Sequence, residues 1–381
     1  MLGFMTIIFA LCLVMLPQVG GVYFANAIFY ILLLLGGRLK VKNRNCMCFF
    51  FLFFATVICS VLNYLYVLQG TYELWFIVQF VFAVQYFVLF MELDFDREKF
   101  ELWYKRFALV FAAAIVVMLL VKVNLTDRLF FYIHNRMWGA GLFSGWPNTT
   151  GLPLVFALYL YFASDENIFS NLPQKILLLL GVFATTSRTT LLGFGLITVY
   201  FALSFHGATI GKFIRKRLLV VVVGLIAVMG VLVVVLAKPD FVARLFYTKD
   251  RQEVFEVVMG LMEKSPVFGF GGTSIDVLIE RYGIVTYWVP EGLSHTHNFI
   301  LEILQRYGSV GLVFFACMLI SMFRGLKSRD NKAAFLIFWF MALFQIYVRD
   351  FTFLFMVSYI CQRDKMPSNA APEKRIGNRI G

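Results

Sequence analysis

Apolar runs recur along the whole chain, separated by short polar segments. Most are apolar on every helical face, as expected of helices surrounded by lipid or by other apolar helices. A transmembrane helix needs about 20 such residues, and fewer where neighbouring protein covers its ends. The pattern predicts twelve spans, near residues 2–18, 21–37, 46–68, 74–91, 107–123, 149–163, 174–186, 189–204, 218–237, 310–323, 333–347 and 351–361. We therefore expect an all-α polytopic membrane protein, with residues 1–365 forming a single multi-spanning domain.

Clusters of basic residues orient these spans. One cluster precedes the third span, one follows the eighth, one follows the tenth and one begins the tail. Their members are Arg38, Lys40, Lys42, Arg44, Lys212, Arg215, Lys216, Arg217, Arg324, Lys327, Arg329, Lys332, Arg363, Lys365, Lys374, Arg375 and Arg379. With twelve spans, all four clusters fall on one side of the membrane. The positive-inside rule makes that side cytoplasmic and places both termini there.

Three connections then lie outside the cytoplasm. They are residues 124–148, a tight turn at Ser187-Arg188, and a long loop at 238–309 between the ninth and tenth spans. Because most connections in compact domains are short, a loop of this length usually carries function.

Two segments outside the spans have their own patterns. Residues 251–262 predict an amphipathic helix that lies at the membrane interface or packs on the bundle. Its apolar face is predicted to consist of Val254, Phe255, Val258, Leu261 and Met262. Residues 366–381 are polar and contain Pro and Gly, which predicts a disordered cytoplasmic tail.

The composition agrees with this arrangement. The 381 residues are 61% apolar and only 15% charged, whereas soluble domains average about 45–50% apolar and about 25% charged residues. The formal net charge is +12 at pH 7, but the basic residues stand in short clusters between apolar runs. Composition and charge placement therefore exclude a soluble enzyme, a disordered chain and a nucleic-acid-binding module.

Arg188 is the first candidate for a functional side chain. It stands in a tight turn between two apolar runs. A charge so close to the hydrocarbon is costly and is by default a functional-site hypothesis. The alternative is an arginine that snorkels to lipid phosphate. Basic residues are otherwise scarce near the outer span ends, which favours the functional interpretation.

A second candidate group lies in the long outer loop. Arg251 begins the amphipathic helix, and Gly269, Gly271 and Gly272 follow in a run whose backbone N–H groups could hold an anion. The alternative is a loop that packs against aromatic residues. Arg281 adds positive charge on the same side.

The third candidate group is the pair His295 and His297, just before a predicted helix. Asn298 suits the N-cap of a helix over 299–307, and Gly308 suits its C-terminal stop. The helix N-terminus disfavours a protonated imidazole, so His297 would be neutral at pH 7, as a general base must be. Two alternatives remain: the histidines bind zinc, although no matching ligand set lies nearby in the sequence, or they only cap and pack.

The same predicted helix carries Glu302 and Arg306 one turn apart. Opposite charges at this spacing are typical of a solvated helix face. The pair is therefore predicted to lie at the surface.

Three of these motifs together resemble those of the O-antigen ligase and O-antigen polymerase superfamily. The run from His297-Asn298 to Gly308-Ser-Val-Gly311 is similar to its histidine motif, and Ser187-Arg188 is similar to its Ser-Arg turn. Arg251, an apolar helix and then Pro266-Val-Phe-Gly-Phe-Gly271 resemble its second arginine with a Pro-x-x-Gly-x-Gly segment.

The resemblance covers about residues 175–325 and has one departure. An aromatic residue, often Trp, is usual a few positions after the second arginine of the family, where this chain has Val254-Phe255.

The resemblance implies an inverting, metal-independent glycosyltransferase of the bacterial inner membrane, with its active site facing the periplasm. Its donor would be a glycan on undecaprenyl diphosphate, with no cofactor. His297 would be the general base, and Arg188 and Arg251 would bind the diphosphate. Supporting positions would be His295, Asn298, Gly269, Gly271 and Arg281. Such a leaving group suits two guanidiniums, which bind it bidentately and stabilise its developing charge.

The resemblance leaves three functions to compare. An O-antigen polymerase adds one lipid-linked repeat unit to another, whereas an O-antigen ligase transfers the finished chain to lipid A–core. We favour the polymerase, because such chains are divergent and rich in aromatic residues, as this one is. A flippase for the same lipid-linked sugar would need charged residues deep in several spans and short loops on both faces, which is the reverse of this pattern. The expected partners are the lipid-linked glycan, an acceptor glycan or lipid A–core, membrane lipids and a chain-length regulator, with no nucleic acid.

Overall fold

The computed structural model describes residues 2–15, 40–41, 44–70, 86, 89, 91–92, 96–122, 147–165, 169–185, 187–205, 249–284, 296, 298–344 and 351–363. Within this part of the chain, the regular secondary structure is helical apart from one short pair of strands. The helices are α1 (Leu2–Met15), α2 (Arg44–Leu62), α3 (Arg97–Lys122), α4 (Pro147–Ser164), α5 (Leu172–Ala184), α6 (Arg188–Phe205), α7 (Lys249–Lys264), α8 (Ile275–Tyr282), α9 (Phe299–Gly325), α10 (Arg329–Ala342) and α11 (Phe351–Arg363), and α2 continues into a π-helical turn at Asn63–Val67. The strands β1 (Lys40–Val41) and β2 (Met91–Glu92) pair antiparallel. The predicted all-α class is confirmed for the described residues.

Helices occupy most of the predicted membrane spans. α1 to α6 and α9 to α11 overlap predicted spans, whereas the spans predicted near 21–37 and 218–237, and most of 74–91, lie outside the described residues. By length and composition, Met47–Val67 and Phe299–Gly325 are long and apolar enough to cross a membrane. Shorter apolar helices cover Gly3–Val14, Thr150–Ser164, Leu172–Ala184 and Arg188–Ser204. The total of twelve spans and the placement of the loops stay predictions.

The main apolar core is built around α4. Residues 150–162 of this helix are all buried, and α4 contacts α3, α5, α6 and α11. The ring of Phe156 makes edge contacts with Tyr104, Phe338 and Tyr359 at centroid distances of 5.2, 6.0 and 5.9 Å. α4 lies at the centre because a helix that is apolar on all sides has no polar face to present to solvent.

The amphipathic helix α7 packs on a second, smaller core at the end of α2. The buried members of this core are Val61, Tyr64, Val254, Val257, Val258, Leu261, Met262, Phe270, Ile275 and Leu278. The predicted apolar face of α7 was wrong at one position, because Phe255 is 50% exposed and Val257 is buried instead. Val254, Val257, Val258 and Leu261 follow the i, i+3, i+4, i+7 spacing of one helical face. α7 therefore packs on the bundle, which was one of its two predicted placements.

Polar contacts join the helix ends on the side that the basic clusters predict to be cytoplasmic. Arg363 Nε lies 3.0 Å from Glu101 Oε1, and Tyr359 Oη donates to the same oxygen at 2.8 Å. Arg363 Nη2 also donates to the carbonyl of Ala163 at 2.9 Å. These contacts tie α11 to α3 and α4.

The orientation predicts the location of three reporter fusions. We expect fusions at residues 210 and 328 to report the cytoplasm and a fusion at residue 285 to report the periplasm, because the basic clusters stay inside. The measurement pairs a reporter that is active only in the periplasm with one that is active only in the cytoplasm. A cytoplasmic result at 285 would contradict the orientation, and with it the location proposed below for the site.

Candidate functional site

The Ser187-Arg188 turn starts α6 as a buried cap followed by an exposed cation. Ser187 is buried, and its Oγ accepts the N–H of Thr190 at 3.2 Å. Its carbonyl accepts the N–H of Leu191 at 3.0 Å. A side-chain oxygen that accepts from the first turn satisfies one of the free N–H groups of a helix N-terminus. Arg188 follows immediately and is exposed, so the turn places a guanidinium at the helix start.

The start of α6 packs closely on its neighbours. A Cβ added to Gly151 of α4 would lie 2.5 Å from Thr190 Oγ1, and one added to Gly193 of α6 would lie 2.2 Å from Met341 Sδ in the last turn of α10. In the same turn region of α10, the ring of Trp339 lies 5.4 Å from that of Phe299, the first residue of α9. The N-terminal turns of α6 and α9 therefore meet the C-terminal turns of α10, and those of α4 meet the start of α6. We call this the site end of the bundle.

The residues on either side of His297 are both anchored at the site end. Asn298 caps α9 as predicted, with its Oδ1 accepting the N–H groups of Ile300 and Leu301 at 2.8 and 3.3 Å. Thr296 is 3% exposed, and its Oγ1 lies 2.7 Å from the carbonyl oxygen of Asn298. His295 and His297 themselves lie outside the described residues.

The charged pair on α9 is buried, which corrects the prediction of a surface pair. Glu302 is 1% exposed and Arg306 is 3% exposed. Arg306 Nε pairs with Glu302 Oε1, and Arg306 Nη1 donates to the carbonyl of Gly272 at 2.9 Å. Glu302 Oε2 lies 3.2 Å from Thr296 Oγ1. The spacing of the two charges is local, but their burial depends on the loop that covers this part of α9.

That covering loop, residues 265–273, fills a break in α9 at Gly308. Gly308 has φ 65° and ψ −168°, which is not helical. A regular helix would bond the N–H groups of Ser309 and Val310 to the carbonyls four residues earlier. Instead, the covering loop bonds to both N–H groups and to both of those carbonyls. The N–H groups of Phe270 and Gly271 donate to the carbonyls of Gln305 and Arg306 at 3.0 and 2.9 Å. The N–H groups of Ser309 and Val310 donate to the carbonyls of Pro266 and Val267 at 2.9 and 3.3 Å. The loop and the helix break thus form one interlocked unit.

Two of the three glycines predicted to hold an anion, Gly269 and Gly271, take part in this packing. The N–H of Gly269 donates to the carbonyl of Ser265 at 3.2 Å, and that of Gly271 to Arg306. Both have positive φ, and a Cβ on Gly269 would lie 2.7 Å from the carbonyl carbon of Arg306. Of the two interpretations of the glycine run, these contacts favour packing, although on the backbone of α9 more than on aromatic rings.

Two residues outside the predicted set contact α9 or the covering loop. Thr296 does so as described above, and Asn63 Nδ2 in the π-helical turn donates to Ser265 Oγ at 3.0 Å and to the carbonyl of Gly269 at 3.1 Å. Sequence reasoning missed both residues, because their partners are set by the folding of the loop. The π-helical turn is the one local feature that points to Asn63, since such turns are frequent at functional sites.

The other two predicted arginines, Arg251 and Arg281, stand before and after the covering loop in the sequence. Arg251 lies in the first turn of α7, where its backbone is described and its side chain is not. Arg281 Nη2 donates to the carbonyls of Leu68 and Gln69 at 2.6 and 2.8 Å. Its guanidinium also lies over the ring of Tyr64 at 5.6 Å. Arg281 therefore fastens α8 to the end of α2, although it remains exposed.

The described part of the chain contains no group of three or more His, Cys, Asp or Glu side chains that could hold a metal ion. Since His295 and His297 lie outside it, the zinc alternative for this pair remains to be tested by experiment.

The region from α5 to the middle of α9 matches a known protein family. The family is described as O-antigen ligase, and the match covers residues 175–316. It includes the Ser-Arg turn, α7, the covering loop and the start of α9. No curated protein matches the chain. Over residues 175–316, the chain is therefore similar to the O-antigen ligase family, and this match supports the O-antigen ligase and polymerase superfamily.

Proposed function

We propose that this protein transfers a glycan from undecaprenyl diphosphate to a hydroxyl group of an acceptor glycan, as an O-antigen polymerase at the periplasmic face of the inner membrane. The family match supports a glycosyltransferase-like membrane enzyme that acts on lipid-linked glycans. The observation that carries the proposal is the position of Arg188, an exposed cation on the first residue of α6 at the site end.

A cation at a helix N-terminus is electrostatically unfavourable, because the helix end is itself positive. The N-termini of α4 and α9 lie at the same end of the bundle, because α4 contacts the start of α6 and α9 contacts the last turns of α10. Helix N-termini of this kind bind phosphate groups. A diphosphate seated here would be bound by the guanidinium of Arg188 and by the helix ends, and Arg251 would supply the second guanidinium.

The proposed reaction is a single displacement at the anomeric carbon of the donor. The acceptor hydroxyl attacks from the face opposite the diphosphate, so that the configuration inverts. His297 accepts the hydroxyl proton as the C–O bond forms, and the bond to the diphosphate breaks with its electron pair leaving on undecaprenyl diphosphate. The arginines stabilise the charge that develops on this leaving group. Because the donor is already activated, the mechanism calls for no nucleotide and no metal ion.

Removing Arg188 is expected to weaken transfer strongly. Arg188→Ala should lower the rate by about 10²–10³-fold, the usual effect of losing one group that stabilises transition-state charge. Arg188→Lys should restore only part of it, because lysine keeps the charge but loses the planar fork that binds phosphate oxygens in pairs. The measurement is the glycan ladder in cells together with transfer by the purified protein.

Arg329→Lys is the matched control for Arg188→Lys. Arg329 is also an exposed arginine on the first residue of a helix, α10, but at the opposite end of the bundle. Its replacement should leave the ladder unchanged. A normal ladder from Arg188→Ala at wild-type protein levels would show that Arg188 only anchors the helix to lipid.

A ligase is the second candidate function, and the description of the matching family favours it. Deletion of the gene separates the two functions through the lipopolysaccharide ladder. Loss of a polymerase leaves core carrying one repeat unit. Loss of a ligase leaves bare core while lipid-linked polymer accumulates, and that result would replace the polymerase proposal.

A further inference from the structure

A continuous polar bridge runs through the buried part of the site end, from the covering loop to the residues around His297. It begins at the carbonyl of Gly272, passes through the guanidinium of Arg306 and the carboxylate of Glu302, and ends at Thr296. We infer that Thr296, held by the Glu302–Arg306 pair, is a positioning residue that fixes the turn carrying His297. This inference rests on the proposed role of His297 as general base.

The bridge leaves neither oxygen of the Glu302 carboxylate free. Oε1 pairs with Arg306, and Oε2 lies 3.2 Å from the hydroxyl and 3.5 Å from the backbone nitrogen of Thr296. A buried ion pair costs more free energy to desolvate than it regains, unless its geometry is good and its remaining hydrogen bonds are satisfied. An apolar pair would fill the same space on α9, but it would not connect α9 to Gly272 and Thr296. The burial of Glu302 and Arg306 is therefore explained by the contacts through which they join α9 to Gly272 and Thr296.

Thr296 also contacts Asn298, the residue that follows His297 in the sequence. Its Oγ1 lies 2.7 Å from the carbonyl oxygen of Asn298 and 3.4 Å from the backbone nitrogen of Asn298. The single hydroxyl proton faces both Asn298 and Glu302. With Asn298 itself fixed as the cap of α9, the residues before and after His297 are held to the same helix. A general base needs such support, because a shift of about 1 Å in a catalytic group can cost about 10²-fold in rate.

Substitutions at Thr296 test the inference with little change in size. Thr296→Val removes the hydroxyl and keeps the shape, whereas Thr296→Ser keeps the hydroxyl. We expect Thr296→Val to lower kcat by about tenfold to a hundredfold, with KM for the lipid-linked donor changed by no more than about twofold. Thr296→Ser should retain kcat to within a few-fold.

Thr56→Val is the matched control for the loss of a buried threonine hydroxyl. Thr56 is 3% exposed, like Thr296, but its Oγ1 donates to the carbonyl of Leu52 in its own helix at 2.8 Å. This variant loses a buried hydroxyl away from the residues around His297, so its kcat should be unchanged. If Thr296→Val keeps the wild-type kcat, or if kcat falls equally in both valine variants, Thr296 has only a structural role and the inference is wrong.

Amide hydrogen exchange gives a second readout that does not depend on activity. In Thr296→Val, exchange in a peptide covering residues 296–304 should be faster than in Thr296→Ser, because the turn and the first turn of α9 lose their tether. Equal exchange in the two variants would overturn the inference. An inactive wild-type protein, or an active His297→Ala, would instead overturn the proposed function, and exchange would still decide whether Thr296 fixes the turn.

Discussion

Replacing His297 with alanine is expected to lower the rate of glycan transfer by about 10²–10⁴-fold, the usual cost of losing a general base. The acceptor hydroxyl would then have no group to take its proton at the moment of attack. The histidine stands between two anchored residues, Thr296 and Asn298, at the N-terminus of α9. The variant should still insert into the membrane at normal levels, because the capping side chain of Asn298 is unchanged. The measurement is transfer by the purified variant in detergent with a lipid-linked donor.

His295→Ala is the natural control, because the spacing to Gly308 that resembles the family motif starts at His297. It should reduce transfer much less than His297→Ala does. An inactive His295→Ala beside an active His297→Ala would show that the wrong histidine was assigned as the base. Loss of wild-type activity with EDTA and its recovery with zinc would replace the base mechanism with a metal site.

Gly308→Ala is expected to destabilise the protein more than any other single methyl group added at a described glycine of the covering loop or α9. The added Cβ would lie 2.2 Å from the carbonyl oxygen of Val267. The backbone conformation, φ 65° and ψ −168°, is one that glycine adopts almost alone. Relief of the clash requires the covering loop to leave the helix break, with loss of the four backbone hydrogen bonds described above. We expect a loss of about 3–5 kcal/mol in the free energy of unfolding.

Thermal unfolding in detergent, followed as the fraction of protein that stays monodisperse, checks this expectation. Gly260→Ala is the matched control, because Gly260 lies inside α7 and a Cβ there meets nothing within 4 Å. It should leave stability unchanged or raise it by up to about 1 kcal/mol, the helix-propensity difference between the two residues. Equal melting temperatures of Gly308→Ala and the wild type would mean that the contact between the covering loop and the helix break contributes little to stability.

Local signals in the sequence predicted the described helices other than α8, and they predicted the start of α9. Continuous apolar runs indicated the spanning helices and an amphipathic pattern indicated α7, whereas Asn298 was recognised as a cap because capping depends only on the next few residues. Gly308 was predicted as the end of a helix. The described helix continues to Gly325 because the covering loop replaces the hydrogen bonds lost at the break. A glycine signal alone cannot distinguish a stop from an interruption that another segment fills.

The burial of Glu302 and Arg306 could not be predicted for the same reason. Their i, i+4 spacing is identical in solvated and buried pairs, and only the loop more than 30 residues earlier in the chain decides between the two, as the bond from Arg306 to Gly272 shows. The prediction that Phe255 lies on the apolar face of α7 was wrong for a simpler reason. Its neighbour Val257 fits the same helical face better, and apolar character alone did not separate the two residues. The roles of Arg251 and His297 stay predictions from the sequence.

The most direct test of the central claim is transfer by the purified wild-type protein in detergent, with an undecaprenyl-diphosphate-linked repeat unit as both donor and acceptor. The mixture should contain EDTA and no nucleotide sugar. The account predicts longer lipid-linked glycans and release of undecaprenyl diphosphate in an amount equal to the glycosidic bonds formed. Folded protein that forms no product from this donor, or that extends a glycan only when a nucleotide sugar is supplied, would contradict it.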